Sequence, residues 1–242
     1  MVSVEFKNIS QVGSETSVPA EEMIKNMGFV EVGSDSRLLR VAKREVAWQY
    51  STLSTKGITP DDAYEDLCRD GYDNNGRSIT IVGVLGGDDA DLVLAGTVRL
   101  VVGRGNAHDD LPSLDAMNLF DISEWPHRER KISDDETGEL GRFVIPSQFR
   151  TPEMDIAGVT NHITSGLFNK ALSSGRERAG IKSLYAIMPD YVVSRVTRSG
   201  IGVEVVEGAY PKQDDNSARQ KFEKYDTYWQ RMKPQLYEFV LP

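Results

Sequence analysis

The chain has 242 residues, 28 Lys+Arg against 37 Asp+Glu, and a formal net charge of −9 at pH 7, with 39% hydrophobic and 27% charged residues. Those are ordinary globular proportions, so disorder of the whole chain is excluded, and an acidic chain lacks the clustered basic surface that a phosphate-backbone reader needs. The one cysteine, Cys68, can form no internal disulfide. The start, MVSVEFKNIS, has neither the basic nor the apolar region of a secretory signal. The most apolar stretch, Leu92 to Val102, contains Arg99 and falls short of the roughly 20 residues that span a bilayer. A soluble, cytoplasmic protein with no membrane span and no nucleic-acid partner is therefore expected. At roughly 100–200 residues per domain, the length suits a single domain over 1–242: an N-terminal arm and short helix (1–34), a core (37–208) and a C-terminal extension (209–242).

No period of 20–50 residues repeats, which removes solenoids and propellers. Ser17-Val-Pro19, followed by Glu21, Glu22 and Ile24, predicts a short capped helix with Gly28 at its end. From Asp35 a longer helix is predicted on Leu38, Ala42, Val46, Gln49/Tyr50 and Leu53, closed by Gly57. Thr59-Pro60-Asp61-Asp62 supplies an N-cap, a proline at the first helical position and acids at the positive helix end, so a third helix should run to about Arg69. The period then becomes extended over Ser78–Leu85 and Asp91–Val102, around Gly86-Gly87-Asp88-Asp89, which predicts an antiparallel hairpin. Residues 103–136 are polar and rich in turn formers apart from Leu114, Met117, Leu119 and Phe120; such a long excursion tends to be functional or mobile.

Beyond it the pattern predicts a strand (Glu139–Ile145), a helix (about Asp155–Arg178), a strand (Lys182–Met188), a helix (Asp190–Arg198, stopped by Gly200) and a strand (Gly202–Val206). Strand-helix-strand crossovers make part of the sheet parallel. The aromatic-rich tail, Lys221–Pro242, reads as a helix followed by an edge strand. No Gly-x-Gly-x-x-Gly follows a strand and no Gly-Lys-Ser/Thr loop occurs, so dinucleotide and P-loop readings fail. Helices, then an antiparallel hairpin, then β-α-β-α-β is an order similar to the GCN5-related N-acyltransferase fold, an α/β three-layer fold with a central mixed, twisted sheet. That likeness fixes no substrate.

Three segments carry candidate chemistry: Asp70-Gly-Tyr-Asp73-Asn74 before the hairpin, Gly96-Thr-Val-Arg99-Leu100 within it, and Glu139-Leu-Gly-Arg142-Phe143 in the strand that opens the crossover unit. Asp70 and Asp73 are equally suited to bonding the backbone of a helix-to-strand turn. Arg99, in an apolar strand, requires a carboxylate partner, since an unpaired buried charge costs several kcal/mol. Glu139 and Arg142 read either as a sheet-end ion pair or as part of a site, and one network can serve both roles. Side chains three apart on a regular strand face opposite ways. A one-residue bulge over Leu140–Phe143 would bring Glu139 and Arg142 to one face, and Gly141 is suited to provide it.

In this order, with Arg198-Ser-Gly200 following, the segments resemble those of the acyl-homoserine lactone synthases, the autoinducer synthase family, over roughly residues 37–208. The resemblance implies acyl transfer from acyl-carrier protein, or acyl-CoA, to the amine of S-adenosylmethionine, with lactone closure to a quorum-sensing signal and expulsion of methylthioadenosine. It implies no resident cofactor: S-adenosylmethionine is a substrate, and phosphopantetheine arrives on the acyl donor. An α-amine with a pKa of about 7.7–8.0 must lose a proton to attack, so Glu139 is the expected proton acceptor. The main-chain N–H groups of Phe143 and Val144 are the expected oxyanion donors. Arg99, Arg142, Asp70 and Asp73 would position the acceptor.

Arg44, competing with Arg37 and Arg40 for the family's helical arginine, would form an adenosyl wall with Trp48 and Tyr50; both aromatics suit an apolar core face equally. Arg150-Thr-Pro-Glu-Met-Asp155 replaces the glycine-rich pyrophosphate turn of generic acetyltransferases with two acids, which disfavours a pyrophosphate clamp and favours a carrier-protein donor. Arg150, Lys170, Arg176, Arg178 and Lys182 are candidates to meet an acidic carrier, or else belong to a charge-mixed solvated surface. Met188 takes the place of the hydroxyl residue associated with 3-oxo chains, so an unsubstituted or bulky apolar acyl group is expected. His108, His127 and His162 lack metal-ligand spacing, and no metal is expected. No nucleophile elbow occurs, so transfer should be direct. The rival readings are an N-acyl amino acid synthase, which takes a free amino acid as acceptor, and a non-catalytic acyl-carrier or ligand-binding module.

Overall fold

The computed structural model describes residues 19–33, 36–86, 92–103, 114–212 and 215–241. The expected hairpin turn at Gly87–Asp89 and residues 104–113 of the long excursion lie outside the described residues. In chain order the elements are α1 (Ala20–Lys25), β1 (Met27–Val32), α2 (Arg37–Ser51), α3 (Pro60–Cys68), α4 (Gly71–Asn74), β2 (Ser78–Leu85) and β3 (Val93–Val102). There follow α5 (Asp115–Leu119), β4 (Phe120–Asp121), α6 (Pro126–Glu129), β5 (Thr137–Val144), α7 (Pro152–Ile156) and α8 (Val159–Ala179). The chain closes with β6 (Ser183–Met188), α9 (Asp190–Arg198), β7 (Val203–Val205), β8 (Tyr210–Pro211), α10 (Asn216–Lys224) and β9 (Gln235–Phe239).

Seven strands form one mixed sheet in the order β1-β2-β3-β5-β6-β9-β7. β5 and β6 are parallel, joined over α8, and the other pairs are antiparallel. Alternating side chains divide the sheet into two buried faces. On one, Leu140, Leu184, Ala186 and Met188 pack with Ile163, Leu167 and Phe168 of α8 and Val196 of α9. On the other, Val46, Ala47, Ala63 and Leu67 of α2 and α3 cover Val144, while α5 and α10 cover Tyr185 and Leu236. The result is the expected mixed α/β three-layer arrangement.

The local signals explain most boundaries. Thr59 and Asp62 close a reciprocal capping box at the start of α3, with Pro60 at its first position. Ser36 caps α2 by accepting from Leu38 N.

Three expectations are corrected. Gly28 does not end a helix: α1 stops at Lys25 and Gly28 lies in β1, opposite Val84, because Met-Gly-Phe-Val-Glu-Val carries β-forming residues that outweigh the glycine signal. The helix expected from Asp155 is two helices, parted at Gly158, whose φ of 79° is a left-handed conformation that glycine adopts freely. β9 is not an edge strand; it lies between β6 and β7, and β7 is the edge. Periodicity identifies a strand but carries no information about its lateral place. β1 and β9, outside the expected 37–208 core, both belong to the sheet.

Candidate active site

Two irregularities of β5 build the site. Thr97 of β3 lies opposite Val144 and Arg99 opposite Gly141, so two steps on β3 are matched by three on β5. This is the expected bulge, and it is Arg142, at φ 53°, that takes the left-handed conformation in place of Gly141. The second irregularity is a parting of strands: β5 pairs with β6 from Thr137/Ser183 to Leu140/Ala186 and no further. Beyond that point β5 keeps its bonds to β3, and β6 its bonds to β9.

The bulge turns Arg142 to the same side as Glu139, where it meets the turn before β2. Asp70 caps α4 by accepting from the N–H of Tyr72 at 3.0 Å and Asp73 at 3.3 Å. Its two oxygens also receive Arg99 Nη1 at 2.9 Å and Arg142 Nη2 at 2.8 Å. Asp73 accepts from Arg142 Nη1 (2.8 Å), Lys43 Nζ (2.7 Å), Ser78 Oγ (2.6 Å) and, more distantly, Arg99 Nη1 (3.3 Å). Burial alone would raise the Asp73 carboxyl; the surrounding Arg142, Arg99, Lys43 and Ser78 overcome it and hold the group well below the usual carboxylate range. The turn-forming and site-bracing readings of these aspartates thus coincide.

Glu139 is 6% exposed and accepts, among the described residues, one hydrogen bond, from the N–H of Ala116 at 2.8 Å. Burial, then the negative charge of Asp115, pushes its carboxyl up to about 7. Asp115 moves the opposite way: burial would raise it, but its ion pair with Lys221 of α10 holds it ionised. A second ion pair, Asp66 to Lys224, ties α3 to α10.

Glu139, Asp70, Arg99, Arg142 and Asp115 line one cavity of about 520 Å³ that passes through the parting between β5 and β6. The end toward α2 and α10 is polar, with Tyr50, Tyr225, Tyr228 and Trp229 in its wall. The end toward α8 and α9 is apolar, lined by Phe143, Phe168, Ala186, Met188 and Val192. Tyr228 donates to the carbonyl of Ile187 at 3.0 Å, from a buried position that raises its phenol well above the ordinary range.

The structure brings together Glu139, Phe143, Val144, Asp70, Arg99, Arg142, Met188 and Arg150 along this cavity, and Asp73 behind them. It does not bring Arg44 or Trp48: Arg44 stacks over Tyr64 with 4.9 Å to the ring centroid, and Trp48 is 48% exposed. The helical period put the right face of α2 inward, and it delivers Gln49 and Tyr50 to the cavity. Among the proposed carrier-facing residues, only Arg150 is at the cavity. Lys170 and Arg178 pair with Glu31 of β1, Lys182 pairs with Glu136, and Arg176 lies in the last turn of α8.

Sequence reasoning missed Lys43, Asp115, Lys221, Tyr225 and Tyr228. The aromatic run in the tail was a visible signal for the last two; an acid in a loop and a lysine on a helix carry no comparable mark.

No protein-family model matches the chain, and no curated protein matches it. Solved structures similar to it include an acetyltransferase of the GNAT family from Staphylococcus aureus Mu50, with TM-score 0.44 and 14% identity, covering 88% of this chain and 97% of that one. A spermidine N-acetyltransferase from Vibrio cholerae in complex with CoA and spermine has TM-score 0.40 and 13% identity over 89% and 94%. The AHL synthase LasI has TM-score 0.49 and 12% identity over 88% and 89%. No helix among the described residues is long and apolar enough to cross a membrane.

Proposed function

We propose that this protein is an N-acyltransferase of the GCN5-related kind, moving an acyl group from a pantetheine thioester to the α-amine of S-adenosylmethionine and yielding an acyl-homoserine lactone. The observation that carries the reading is the placing of Glu139 where β5 bulges and leaves β6, between a charged chamber and an apolar one. The amine occupies the charged side, with its amino-acid part held near Arg99 and Arg142, and its purine against Tyr50 and the tail aromatics. The acyl chain lies on the Phe143–Phe168–Met188 side.

Glu139 takes the ammonium proton. With its carboxyl near 7 against an amine of about 7.7–8.0, the transfer is almost balanced, whereas a carboxylate near its usual 4.3 would be a poor acceptor. The neutral nitrogen attacks the thioester carbonyl; the N–C bond forms, main-chain N–H groups of the parted stretch at Phe143 and Val144 hold the oxyanion, and the C–S bond breaks as the departing thiolate takes the second proton from the nitrogen, leaving a neutral amide and a free thiol, while Glu139 returns the first proton to water. A carboxylate oxygen then attacks the methylene beside the sulfonium; the ring closes and neutral methylthioadenosine leaves. A cytoplasmic site of action belongs to the same reading.

The test is incubation of the chain with an acyl-carrier-protein thioester and either S-adenosylmethionine or free amino acids. Release of methylthioadenosine and an acylated lactone is expected only with the first. Acylation of free amino acids alone would replace the acceptor, and no acylation of any amine would end the enzymatic reading.

A further inference from the structure

The apolar end of the cavity opens between the carboxyl ends of β5 and β6, and two arginines, the half-buried Arg195 and the exposed Arg150, stand there. Arg195 of α9 is 18% exposed at its side chain; its ion pair with Asp155 is stretched to 3.9 Å, and its buried Nε has no hydrogen-bond partner among the described residues. Arg150, reached from the other strand, donates among the described residues a long bond of 3.3 Å to Gln49. Both line the cavity. Burial, opposed by Asp155 but reinforced by the charges of Arg150 and Arg198, lowers the Arg195 guanidinium below its ordinary value.

Arg150 and Arg198 are exposed, and water screens their charges, but the Nε–H of Arg195 is buried, and a buried N–H left unmade costs about 1–3 kcal/mol. An anion seated between Arg150 and Arg195 would remove that cost. The setting restricts which anion. From this point the cavity continues inward past Tyr191 and Val192 along the parted strands to Phe143 and Met188, so the charge must sit at the head of a long, uncharged arm. Ligands of open α/β sheets occupy such crevices at the carboxyl ends of strands.

Resting on the acyltransferase reading, we propose that Arg195, with Arg150 across the gap, forms a subsite for a single phosphate ester at the head of the pantetheine arm. It lies on the last helix of the crossover unit, where no glycine-rich turn is needed, and it replaces the basic surface of α8 as the donor-side contact. Arginine is suited to it because a planar fork can pair two phosphate oxygens. The same phosphate heads the arm of a carrier protein and the arm of CoA.

Titration calorimetry with 4′-phosphopantetheine and with pantetheine, which differ only in that phosphate, tests the subsite on the full chain. The wild type is expected to prefer the phosphorylated arm by about tenfold or more, the affinity of one charge-assisted hydrogen bond. In Arg195→Gln the ratio of the two affinities falls toward one, and Arg195→Lys restores part of it. No preference in the wild type, or an Arg195→Gln variant in which the ratio is unchanged, overturns the subsite. CoA as a third probe separates the sources: further tightening over phosphopantetheine assigns the nucleotide donor and equal affinity assigns the carrier-borne arm, each upholding the shared phosphate contact. Wild-type turnover of an N-acetylcysteamine thioester, which has no phosphate, examines the acyltransferase reading separately, so loss of either claim is distinguishable from loss of the other.

Discussion

Glu139 works as a base only if its burial is compensated enough to keep it foldable and not so much that it becomes an ordinary carboxylate. One main-chain N–H, from Ala116, meets it, and the neighbouring Asp115 adds repulsion instead of support. Glu139→Gln keeps the shape and the acceptor for Ala116 while removing the proton-accepting oxygen, so kcat/KM should fall by roughly 10²–10⁴-fold in a thiol-release assay, with the melting temperature not lowered. In the proposed reaction Asp115 would be a positioning residue, its charge raising the carboxyl of Glu139. In Asp115→Asn the repulsion disappears and Lys221 loses its partner, and both changes favour the ionised form of Glu139. The acid limb of the pH profile of kcat/KM should therefore move to lower pH. A variant that lost activity equally at every pH, with the limb unmoved, would give Asp115 a purely structural part.

At the scale of elements, the turn α4, strand β3 and the bulge of β5 are bolted together by Asp70 and Asp73. Removing the charge of Asp73 leaves Arg142, Arg99 and Lys43 facing one remaining aspartate in a buried setting. Breaking such a cluster costs about 3–5 kcal/mol, so Asp73→Asn should lower the urea midpoint strongly, while Asp62→Asn, which weakens only an exposed capping box, should cost about 1 kcal/mol. These bonds also account for what could be read beforehand. Arg99 in an apolar strand demanded a carboxylate, Glu139 and Arg142 at three apart demanded a bulge, and both demands are local. The alternation that predicted β2, β3, β5 and β6 is local too. What escaped was lateral and long-range: that β9 inserts between β6 and β7, and that α10 places Lys221 beside Asp115. Neither is encoded in the spacing of neighbouring residues; each depends on which surfaces meet after the chain has folded.

Over the whole molecule the buried charges set opposing slopes of stability with pH. Asp73, depressed on folding, contributes stability present above its unfolded pKa of about 3.9 and lost as pH falls below it. His127, buried between Tyr185 and Asp134 and lowered chiefly by burial, contributes stability that is present above about 6.5 and declines as pH falls through its lowered native value. Glu139 acts in the opposite sense. Its native value near 7 exceeds an unfolded value of about 4.3, so its contribution is complete below about 4.3 and disappears as pH rises through 7. That shift corresponds to on the order of 3 kcal/mol, a cost borne at neutral pH by the residue on which the proposed reaction turns. Comparing wild type with Glu139→Gln cancels the slopes of His127 and Asp73, because those groups are unchanged in both. Urea unfolding from pH 5 to pH 8 should show the variant gaining on the wild type as pH rises, and exceeding it at pH 8, where the wild type must bury a charge that the amide does not carry. Parallel curves for the two proteins would mean that Glu139 is not held above its ordinary value, and would remove the balanced proton transfer from the mechanism.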